Sequence, residues 1–441
     1  MRFLAAWLAV WALGVAHGGT LELTAASSTR ALAIVGEPLE IGVVLRNQSD
    51  KLIADLEAEV QLPEGWQAQP TRFALPGLAP FTAQTLRFIV NATEADHSEG
   101  RITVTSPSLK AAAETSFVLV SCRPLPLEAT WAELGRRAVG ELPEDGTIFV
   151  ATGSYIVFLP RCGDCYGPGL IYLRQGLNWR RMGTIPAMGH LIYRDLHPVT
   201  RQPVPVERWV FPTRRWITPK APIGDTVVLK DQWQDNKGRW WTAKAYFSPT
   251  RDERVIKCTH MVWCTEAAAV LRYEGPMLCV GDGTFGTAGN VVLPGMPPLA
   301  ADGAEPLLRR AAPSDAGHMA VETPVGGVVG MLWDPQQEWT REQRRPQYLV
   351  AAPNLLRRQS NSFLSLLVPT FDKLQMVEAA TVTRPLELPR GRFVYLRSEL
   401  FVQAGGTAGD VAQAWRDRFI PGGPGRALLP DPDVKTGQPD R

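Results

Sequence analysis

The alternation of apolar and polar residues along many short segments constrains this chain more than any other feature. The segments 39–47 (LEIGVVLRN), 85–93 (TLRFIVNAT) and 239–248 (RWWTAKAYFS) place every second side chain on the same face. A period of two residues is typical of a β-strand with one buried face. Comparable segments recur at short intervals as far as 392–402, with turn residues between them. The pattern predicts an all-β protein with few short helices.

The strands fall into two groups on either side of a proline-rich joint at 123–126 (RPLP). Residues 19–123 hold five alternating segments at the spacing of a small sandwich, and we expect an N-terminal Ig-like β-sandwich there. Residues 124–420 hold about ten to fourteen strands, too many for one small sandwich. This region is predicted to form a large β-sandwich, or supersandwich. Residues 421–441 are rich in Pro and Gly, which is the composition of a tail or linker.

Two short helices are expected within the second region. Thr130 and Glu133 have the spacing of a capping box. The segment 407–419 (TAGDVAQAWRDRF) brings apolar side chains near one helix face. We expect this second helix to pack on the edge of the large sandwich.

The first 18 residues have the order of a secretory leader. Arg2 precedes an apolar run from Phe3 to Ala16, and small residues follow at Ala16 and Gly18. The run is shorter than the roughly 20 residues needed to span a bilayer, and no later stretch reaches that length. We therefore expect residues 1–18 to be a signal peptide, the protein to be secreted or periplasmic, and the mature chain to have no membrane span.

The nearly neutral net charge of the chain argues against a nucleic-acid partner. The 441 residues include 46 basic and 44 acidic side chains, a net charge of +2, and no run of Lys or Arg interrupts this balance. Proteins that bind nucleic acid through phosphate contacts need a basic surface. We expect no nucleic-acid partner.

The first region resembles a known module. Its turn phrases are Gly36-Glu37-Pro38, then 62–66 (LPEGW), then 75–78 (LPGL) ahead of another strand. Their order resembles the Ig-like module found attached to alpha-galactosidases and to carbohydrate-binding modules. The resemblance implies that these residues are framework: the turn at 62–66 and a corner at 75–78 set the loop geometry, and one Trp is buried. It brings no functional residue.

The second region is similar to another class. The phrases Leu332-Trp333-Asp334-Pro335 and Ala352-Pro353-Asn354 occur within a cadence that resembles the β-supersandwich of exported bacterial proteins. In those proteins the supersandwich precedes an α/α-toroid glycoside hydrolase domain. The resemblance implies a polysaccharide-processing protein whose catalytic acid and base lie on the toroid. Only the linker-like segment follows Phe419 here, so the partner would be a glycoside hydrolase domain in a longer chain.

Tryptophan supplies the candidate binding residues. Trp233, Trp240 and Trp241 are clustered within nine positions of a chain that holds 14 Trp. A flat indole ring with a polar edge can stack on the C–H face of a sugar, and it can equally fill a core. Alternation places Trp240 and Trp241 on opposite sheet faces. We expect one of the three to contact a polysaccharide or oligosaccharide, with core packing as the alternative.

Six cysteines in an exported chain are interpreted first as a disulfide set. Cys162 and Cys165 flank Gly-Asp and could form a tight hairpin, a disulfide or a zinc knuckle. Zinc needs two further ligands, for which Cys258, His260 and Cys264 are available at a non-standard spacing. Cys258 and Cys264 are also a candidate disulfide pair. No cofactor other than this zinc is expected.

Common catalytic motifs are missing from the sequence. There is no HExxH or GxSxG motif, and the GxGxxG spelling at 281–286 (GDGTFG) is followed by loop and strand rather than helix. Glycoside cleavage would need two facing carboxylates. The candidates are Glu207, Asp231, Asp235, Glu266, Asp282, Glu322 and Asp334.

These observations favour a secreted, carbohydrate-associated protein that binds glycan or supports a polysaccharide-degrading system and is not itself catalytic. One alternative is a complete glycosidase or lyase that uses a carboxylate pair of the second region. The other is a structural envelope protein in which every Trp is core.

Overall fold

A computed structural model of the chain describes the following residues: 21–25, 30–94, 96–109, 111–122, 139–141, 147–162, 165–176, 178–197, 199–200, 202–210, 212, 216–219, 226–235, 237–282, 289–294, 304–310, 316–335, 337, 347–352, 361–368 and 386–420. The expected leader at 1–18, the first expected helix at 130–133 and the tail at 421–441 lie outside these residues.

The first group of strands forms a two-sheet sandwich. One sheet has four strands in the order β1-β3-β7-β5, and the other has five in the order β2-β9-β8-β4-β6. β2 and β9 are parallel, and the other pairs are antiparallel. The strands are β1 Leu21–Ala25, β2 Arg30–Ile34, β3 Leu39–Asn47, β4 Ile53–Gln61, β5 Trp66–Gln69, β6 Arg72–Leu78, β7 Ala83–Ala92, β8 His97–Thr105 and β9 Ala113–Cys122.

Two of the turn phrases have different roles in this sandwich. Trp66 is buried, and its indole Nε1 lies 3.4 Å from an Asp96 carboxylate oxygen that accepts its hydrogen bond. The Leu75–Leu78 phrase does not form a corner, because it lies within β6 at the edge of the five-stranded sheet. An edge strand tolerates Pro76, since a missing N–H at an edge removes no ladder bond.

The second group of strands forms a much larger sandwich. A 12-stranded sheet has the main order β10-β11-β12-β15-β16-β23-β29-β28-β25, with β17, β18 and β30 joined to it through β23. An eight-stranded sheet has the order β19-β20-β21-β22-β31-β27-β26-β24, and β13 and β14 form a separate hairpin.

The first strands of this region are β10 Val139–Glu141, β11 Ile148–Ala151, β12 Tyr155–Leu159, β13 Arg161–Cys162, β14 Cys165–Tyr166, β15 Gly169–Gln175, β16 Asn178–Ile185, β17 His190–Leu196, β18 Pro203–Val210, β19 Trp216–Pro219 and β20 Val227–Gln234. The others are β21 Trp240–Pro249, β22 Val255–Cys264, β23 Ala268–Val280, β24 Asn290–Val292, β25 Ala304–Arg310, β26 His318–Thr323, β27 Gly327–Leu332, β28 Gln347–Ala352, β29 Ser362–Val368, β30 Leu386–Leu388 and β31 Phe393–Ala404.

One core holds the two large sheets together. Inward side chains of the 12-stranded sheet, such as Val157 and Leu364, belong to the same buried cluster as Ala243 and Val262 of the eight-stranded sheet. Every residue of the 13-residue strand β23 is buried, which is expected of a strand covered on both faces. The all-β prediction of an Ig-like sandwich followed by a large supersandwich is confirmed.

The two sandwiches contact each other through apolar side chains. Ile34 and Val120 of the first sandwich share a buried cluster with Phe149 and Phe158 of the second. An ion pair between Glu37 and Arg181 adds a polar contact across the same junction.

The single helix among the described residues is α1, Ala408–Phe419, and it confirms the second predicted helix. The Asp410 carboxylate accepts hydrogen bonds from the Thr407 N–H (2.8 Å) and hydroxyl (2.9 Å), which fixes the helix start. Val411 and Ala414 are buried. The helix packs against the side of β26 and β27 that points away from the large core, and not on the edge of the sandwich as expected. Gly330 of β27, which has no side chain, leaves room there for Val411. None of the described helical residues forms a segment that is long and apolar enough to cross a bilayer.

Candidate functional site

The hairpin that joins β20 to β21 is held by its own turn residues. Oδ1 of Asp235 accepts hydrogen bonds from the backbone N–H groups of Lys237 (2.9 Å) and Arg239 (3.1 Å). Gly238 has a φ of +78°, a left-handed conformation that glycine adopts without strain. Asp and Gly are therefore placed where this turn requires them.

Arg239 ties the hairpin to the opposite sheet. Its Nε donates a 2.8 Å hydrogen bond to Oδ2 of Asp235, and its Nη2 also donates to Asp195 at the end of β17. All three side chains are buried. Burial raises the pKa of Asp235, but hydrogen bonds from Arg239 and Trp241 outweigh it, and the pKa is lowered overall. The cluster is a buried ionic link between the two sheets.

The same cluster brings two carboxylates together. Asp195 and Asp235 both accept from one nitrogen, Nη2 of Arg239. A glycosidase acid must hold its proton near neutral pH, which requires a raised pKa. The pKa of Asp235 is lowered, and Arg239 forms ion pairs with both carboxylates. Glu322, another carboxylate on the candidate list, accepts a hydrogen bond from the Ala408 N–H at the helix start (2.7 Å). These contacts support a structural role for the carboxylates of Asp195, Asp235 and Glu322.

Trp241 points into the sandwich. Its indole N–H donates a 3.1 Å hydrogen bond to Oδ2 of Asp235, and its ring lies between Tyr193 (centroids 4.4 Å apart) and Trp233 (6.2 Å apart). Trp241 is fully buried and offers no surface to a ligand, which removes it from the candidate sugar contacts. Trp233 stacks parallel to it on the inner side and packs against the core. Of the three candidates, Trp240 alone lies on the opposite face, where it is 50% exposed.

Trp240 lies at one end of a half-exposed sheet surface. We define the outer face as the outward positions of β20, β21, β22 and β31 that the strand register aligns in rows. Its members are partly exposed except for Thr242 and Glu399, which are buried. They are Val228, Lys230, Gln232, Gln234, Trp240, Thr242, Lys244, Tyr246, Ser248, Lys257, Thr259, Met261, Trp263, Phe393, Tyr395, Arg397 and Glu399.

Aromatic rings are distributed over the outer face. Thr242, two residues from Trp240, pairs directly with Trp263, so the two indoles are diagonal neighbours on adjacent strands. Trp263 pairs in turn with Phe393, whose ring centroid is 5.7 Å from that of Tyr395. The amides and hydroxyls between the rings supply hydrogen-bond donors and acceptors. The surface combines flat apolar rings with polar groups on a rigid sheet.

Cations lie over two of these rings. Nζ of Lys244 is 5.4 Å from the centroid of the Trp263 ring, and the Arg397 guanidinium is 4.8 Å from that of Tyr395. Such contacts hold the rings and the cations in fixed positions relative to one another.

Sequence reasoning did not select Tyr246, Trp263 and Tyr395 as candidate sugar contacts. The alternation that places Trp240 outward also places Tyr246 outward on the same strand, and an equal alternation around Trp263 gives it the same direction. The sequence therefore contained a signal for Tyr246 and Trp263. The position of Tyr395 beside them depends on the pairing of β22 with β31, which tertiary packing determines.

A second buried polar cluster lies on the other side of the 12-stranded sheet. Glu274 of β23 accepts hydrogen bonds from Arg272 and from the Ser365 hydroxyl, and Nδ1 of His190 lies 3.7 Å from its Oε2. Burial raises the pKa of Glu274, but the Arg272 charge and the hydrogen bonds prevail and hold it at about 2. Burial lowers the pKa of His190. Glu274 is fully buried, so this cluster stabilises the sheet and presents no carboxylate to a ligand.

The cysteines have two different environments. Cys162 of β13 and Cys165 of β14 lie directly opposite each other in an antiparallel pair of strands. Cys258 and Cys264 lie six positions apart on one extended strand, about 20 Å at 3.4 Å per residue, and cannot bridge each other. Burial raises the pKa of the Cys264 thiol to about 11. The described residues contain no group of three or more His, Cys, Asp or Glu that could hold a metal ion.

Comparisons with known proteins give no assignment. No protein family matches the sequence, and no curated protein is similar to it. The CARDB domain of a Pyrococcus furiosus protein is 13% identical over 23% of this chain and 93% of that one, with a TM-score of 0.19. The periplasmic chaperone SfaE is 14% identical over 36% of this chain and 98% of that one (TM-score 0.18). The PapD-like domain 7 of human CEP192 is 12% identical over 24% and 86% (TM-score 0.18). Similarity at this level carries no functional inference.

Proposed function

We propose that this protein is a secreted glycan-binding protein of a polysaccharide-degrading system, and that the outer face is its binding surface. The observation that carries the proposal is the 50% exposure of Trp240 at the end of a sheet face that also displays Tyr246, Trp263 and Tyr395. Single exposed apolar side chains are common on protein surfaces, whereas several aromatic rings displayed together on one face favour an interaction site.

The chemistry of the surface suits a polysaccharide. Aromatic rings contact the C–H faces of sugars, and neighbouring side-chain amides, such as those of Gln232 and Gln234, can hydrogen-bond to sugar hydroxyls. Thr242 and Thr259 alternate with the rings along their strands. A polymer that lies across four strands would contact several rings in turn.

The Arg239 cluster supports the proposal by keeping the hairpin rigid. Asp235 holds Trp241 inward, and the alternation of β21 then directs Trp240 outward. A binding residue on a fixed element loses little conformational freedom when its ligand binds. Export through residues 1–18 remains part of the proposal and rests on the leader pattern alone.

Affinity electrophoresis on a panel of soluble polysaccharides, with a parallel assay for released reducing sugar, tests the proposal. We expect retardation by at least one polysaccharide without sugar release, and at least a tenfold loss of affinity in Trp240→Ala and Trp263→Ala. Phe81→Ala is the matched control, because Phe81 is a 72% exposed aromatic residue of the first sandwich. Sugar release would establish the enzyme alternative, and no retardation by any polysaccharide would favour the structural alternative.

A further inference from the structure

The C-terminal helix already covers one end of the sheet side on which the outer face lies. The row that follows Glu399 and Lys257 along β31 and β22 is formed by Phe401 and Val255, which pair with each other. Both are buried in one cluster with Val411 of α1. The outer face is therefore continuous with a surface on which the chain packs its own C-terminal helix.

The end of α1 lies beside the outer face. In the last turn of the helix, Nη1 of Arg418 lies 3.1 Å from Oε2 of Glu399, and its Nη2 lies 3.2 Å from Oδ2 of Asp252 in the loop between β21 and β22. Ile420, the C-cap residue, is 39% exposed and has an extended backbone (φ −81°, ψ 132°). The chain therefore leaves α1 next to the outer face.

The sequence that follows the helix has a chemistry that suits aromatic rings. Residues 421–441 contain five Pro and one apolar group, 427–430 (ALLP). Pro-rich segments favour the polyproline II helix, which docks on surfaces lined with aromatic rings because it is already ordered and loses little freedom there. Tyr246 and Tyr395 are partly exposed rings of the outer face.

The apolar group is within reach of these rings. Tyr395 lies four residues from Glu399 on β31, which is about 14 Å at 3.4 Å per residue. Leu428 follows Ile420 by eight residues, which span about 25 Å in a polyproline II helix. Reach therefore allows the group to lie across the rows of the outer face nearest to α1.

From this arrangement we propose that residues 427–432 dock on the outer face over Tyr246 and Tyr395, where they compete with a glycan for the same rings. The proposal names the regulation of the glycan-binding site and in that respect rests on the proposed function. A tethered segment has an effective concentration in the millimolar range at its own site, so weak docking is sufficient to cover the rings. A polysaccharide that contacts several rings at once displaces it.

Hydroxyl-radical footprinting of the full chain without any glycan tests the docking. We expect Tyr246 and Tyr395 to be oxidised at least twofold faster in Leu428→Ser/Leu429→Ser than in the wild type. Val199→Ser is the control, because it removes an 82% exposed apolar side chain of the second sandwich and should leave both rates unchanged.

Two further measurements connect the docking to the segment and to the glycan. A peptide of residues 426–434 (RALLPDPDV), added at millimolar concentration, should restore slow oxidation in the double variant, whereas the peptide with Ser at both Leu positions should not. In affinity electrophoresis the double variant should bind a polysaccharide at least threefold more tightly than the wild type.

The outcomes that would overturn the docking differ from one another. Equal oxidation of both tyrosines in the wild type and the double variant would show that 427–432 does not cover them. Faster oxidation of Trp415 in the double variant would show that α1 itself detaches, and would overturn the docking as well. Protection in the wild type that falls on dilution would assign the cover to a second copy of the chain and would contradict docking within one chain.

Failure of the regulation and failure of the proposed function are distinguishable. Equal polysaccharide affinity of the wild type and the double variant would overturn the competition and leave the proposed glycan binding standing. Binding of no polysaccharide by either protein would overturn the proposed function together with its regulation, while the glycan-free oxidation rates decide the docking independently.

Discussion

The indole N–H of Trp241 donates a 3.1 Å hydrogen bond to Oδ2 of Asp235, six residues earlier in the chain. This bond closes the inner side of the β20–β21 hairpin, and strand alternation then leaves the adjacent Trp240 on the outer side, 50% exposed. One buried carboxylate thus fixes which of two neighbouring tryptophans belongs to the core and which is available to a ligand.

Asp235→Asn should destabilise the second sandwich by about 2 to 4 kcal/mol, because it removes one of the two charges that compensate the buried Arg239. Urea denaturation followed by Trp fluorescence measures the loss. Lys237→Gln is the control: its ammonium lies 3.2 Å from Asp195, but the side chain is 45% exposed, and such pairs contribute less than about 1 kcal/mol. Equal effects of the two substitutions would contradict the buried link.

Glu274→Gln should be among the most destabilising single substitutions in this protein, by about 3 to 5 kcal/mol, because it leaves the Arg272 charge buried without its partner. Ser365→Ala removes only a hydroxyl donor to the same carboxylate and should cost about 1 to 2 kcal/mol. Thermal unfolding at pH 7 compares the two. A Ser365→Ala effect as large as that of Glu274→Gln would mean that packing, and not charge, dominates this cluster.

Gly330→Ala should detach α1 from the sheet. A Cβ at this position would lie 2.6 Å from a methyl carbon of Val411, so the helix would have to move, at a cost of about 1 to 3 kcal/mol. Gly409→Ala is the matched control in the first turn of the helix, where the nearest atom is the exposed Thr407 hydroxyl at 3.3 Å. Because alanine favours a helix, this control should gain up to about 1 kcal/mol. Calorimetry distinguishes these opposite signs.

His318 makes stability depend on pH. Burial lowers its pKa to about 4, and the nearby Arg416 charge acts in the same direction. Between pH 6.5 and 4 the unfolded chain binds a proton that the folded chain does not, so stability is full above this window and falls as the pH falls through it. The loss from this one group is about 3 kcal/mol.

The variant His318→Phe keeps a ring beside Trp415 but does not titrate. Its unfolding free energy should fall less steeply between pH 6.5 and 4, with a residual slope from His190, whose pKa burial also lowers. An unchanged slope, measured by urea denaturation at a series of pH values, would contradict the role of His318.

Local periodicity predicted the last helix and part of the strands. The described residues of the second region form 22 strands where ten to fourteen were expected, because many of the additional strands are too short to show a period. The segment 39–47 is β3 with the same bounds, and α1 begins one residue after the start of the predicted segment 407–419. Alternation also predicted that Trp240 and Trp241 face opposite ways. It could not say which one faces inward, since the sequence neighbours of both are similar and the choice depends on Asp235 and on the opposite sheet.

The charged clusters depend on long-range pairing that no local pattern reveals. Arg239 meets Asp195 across 44 positions, and Ser365 meets Glu274 across 91. One signal was nevertheless present: Arg272 and Glu274 interrupt an otherwise apolar strand of 13 residues, and charges in a strand buried on both faces must be compensated. The outer face likewise required the register of β22 with β31, which tertiary packing sets.

Hydroxyl-radical footprinting shows whether the outer face binds the ligand, because it reports which side chains a bound polysaccharide covers. With a polysaccharide that retards the protein, we expect strong protection of Trp240 and Trp263 and unchanged oxidation of Phe81, an exposed aromatic residue of the first sandwich. Unchanged oxidation of Trp240 and Trp263 in the complex would show that the outer face is not the binding surface.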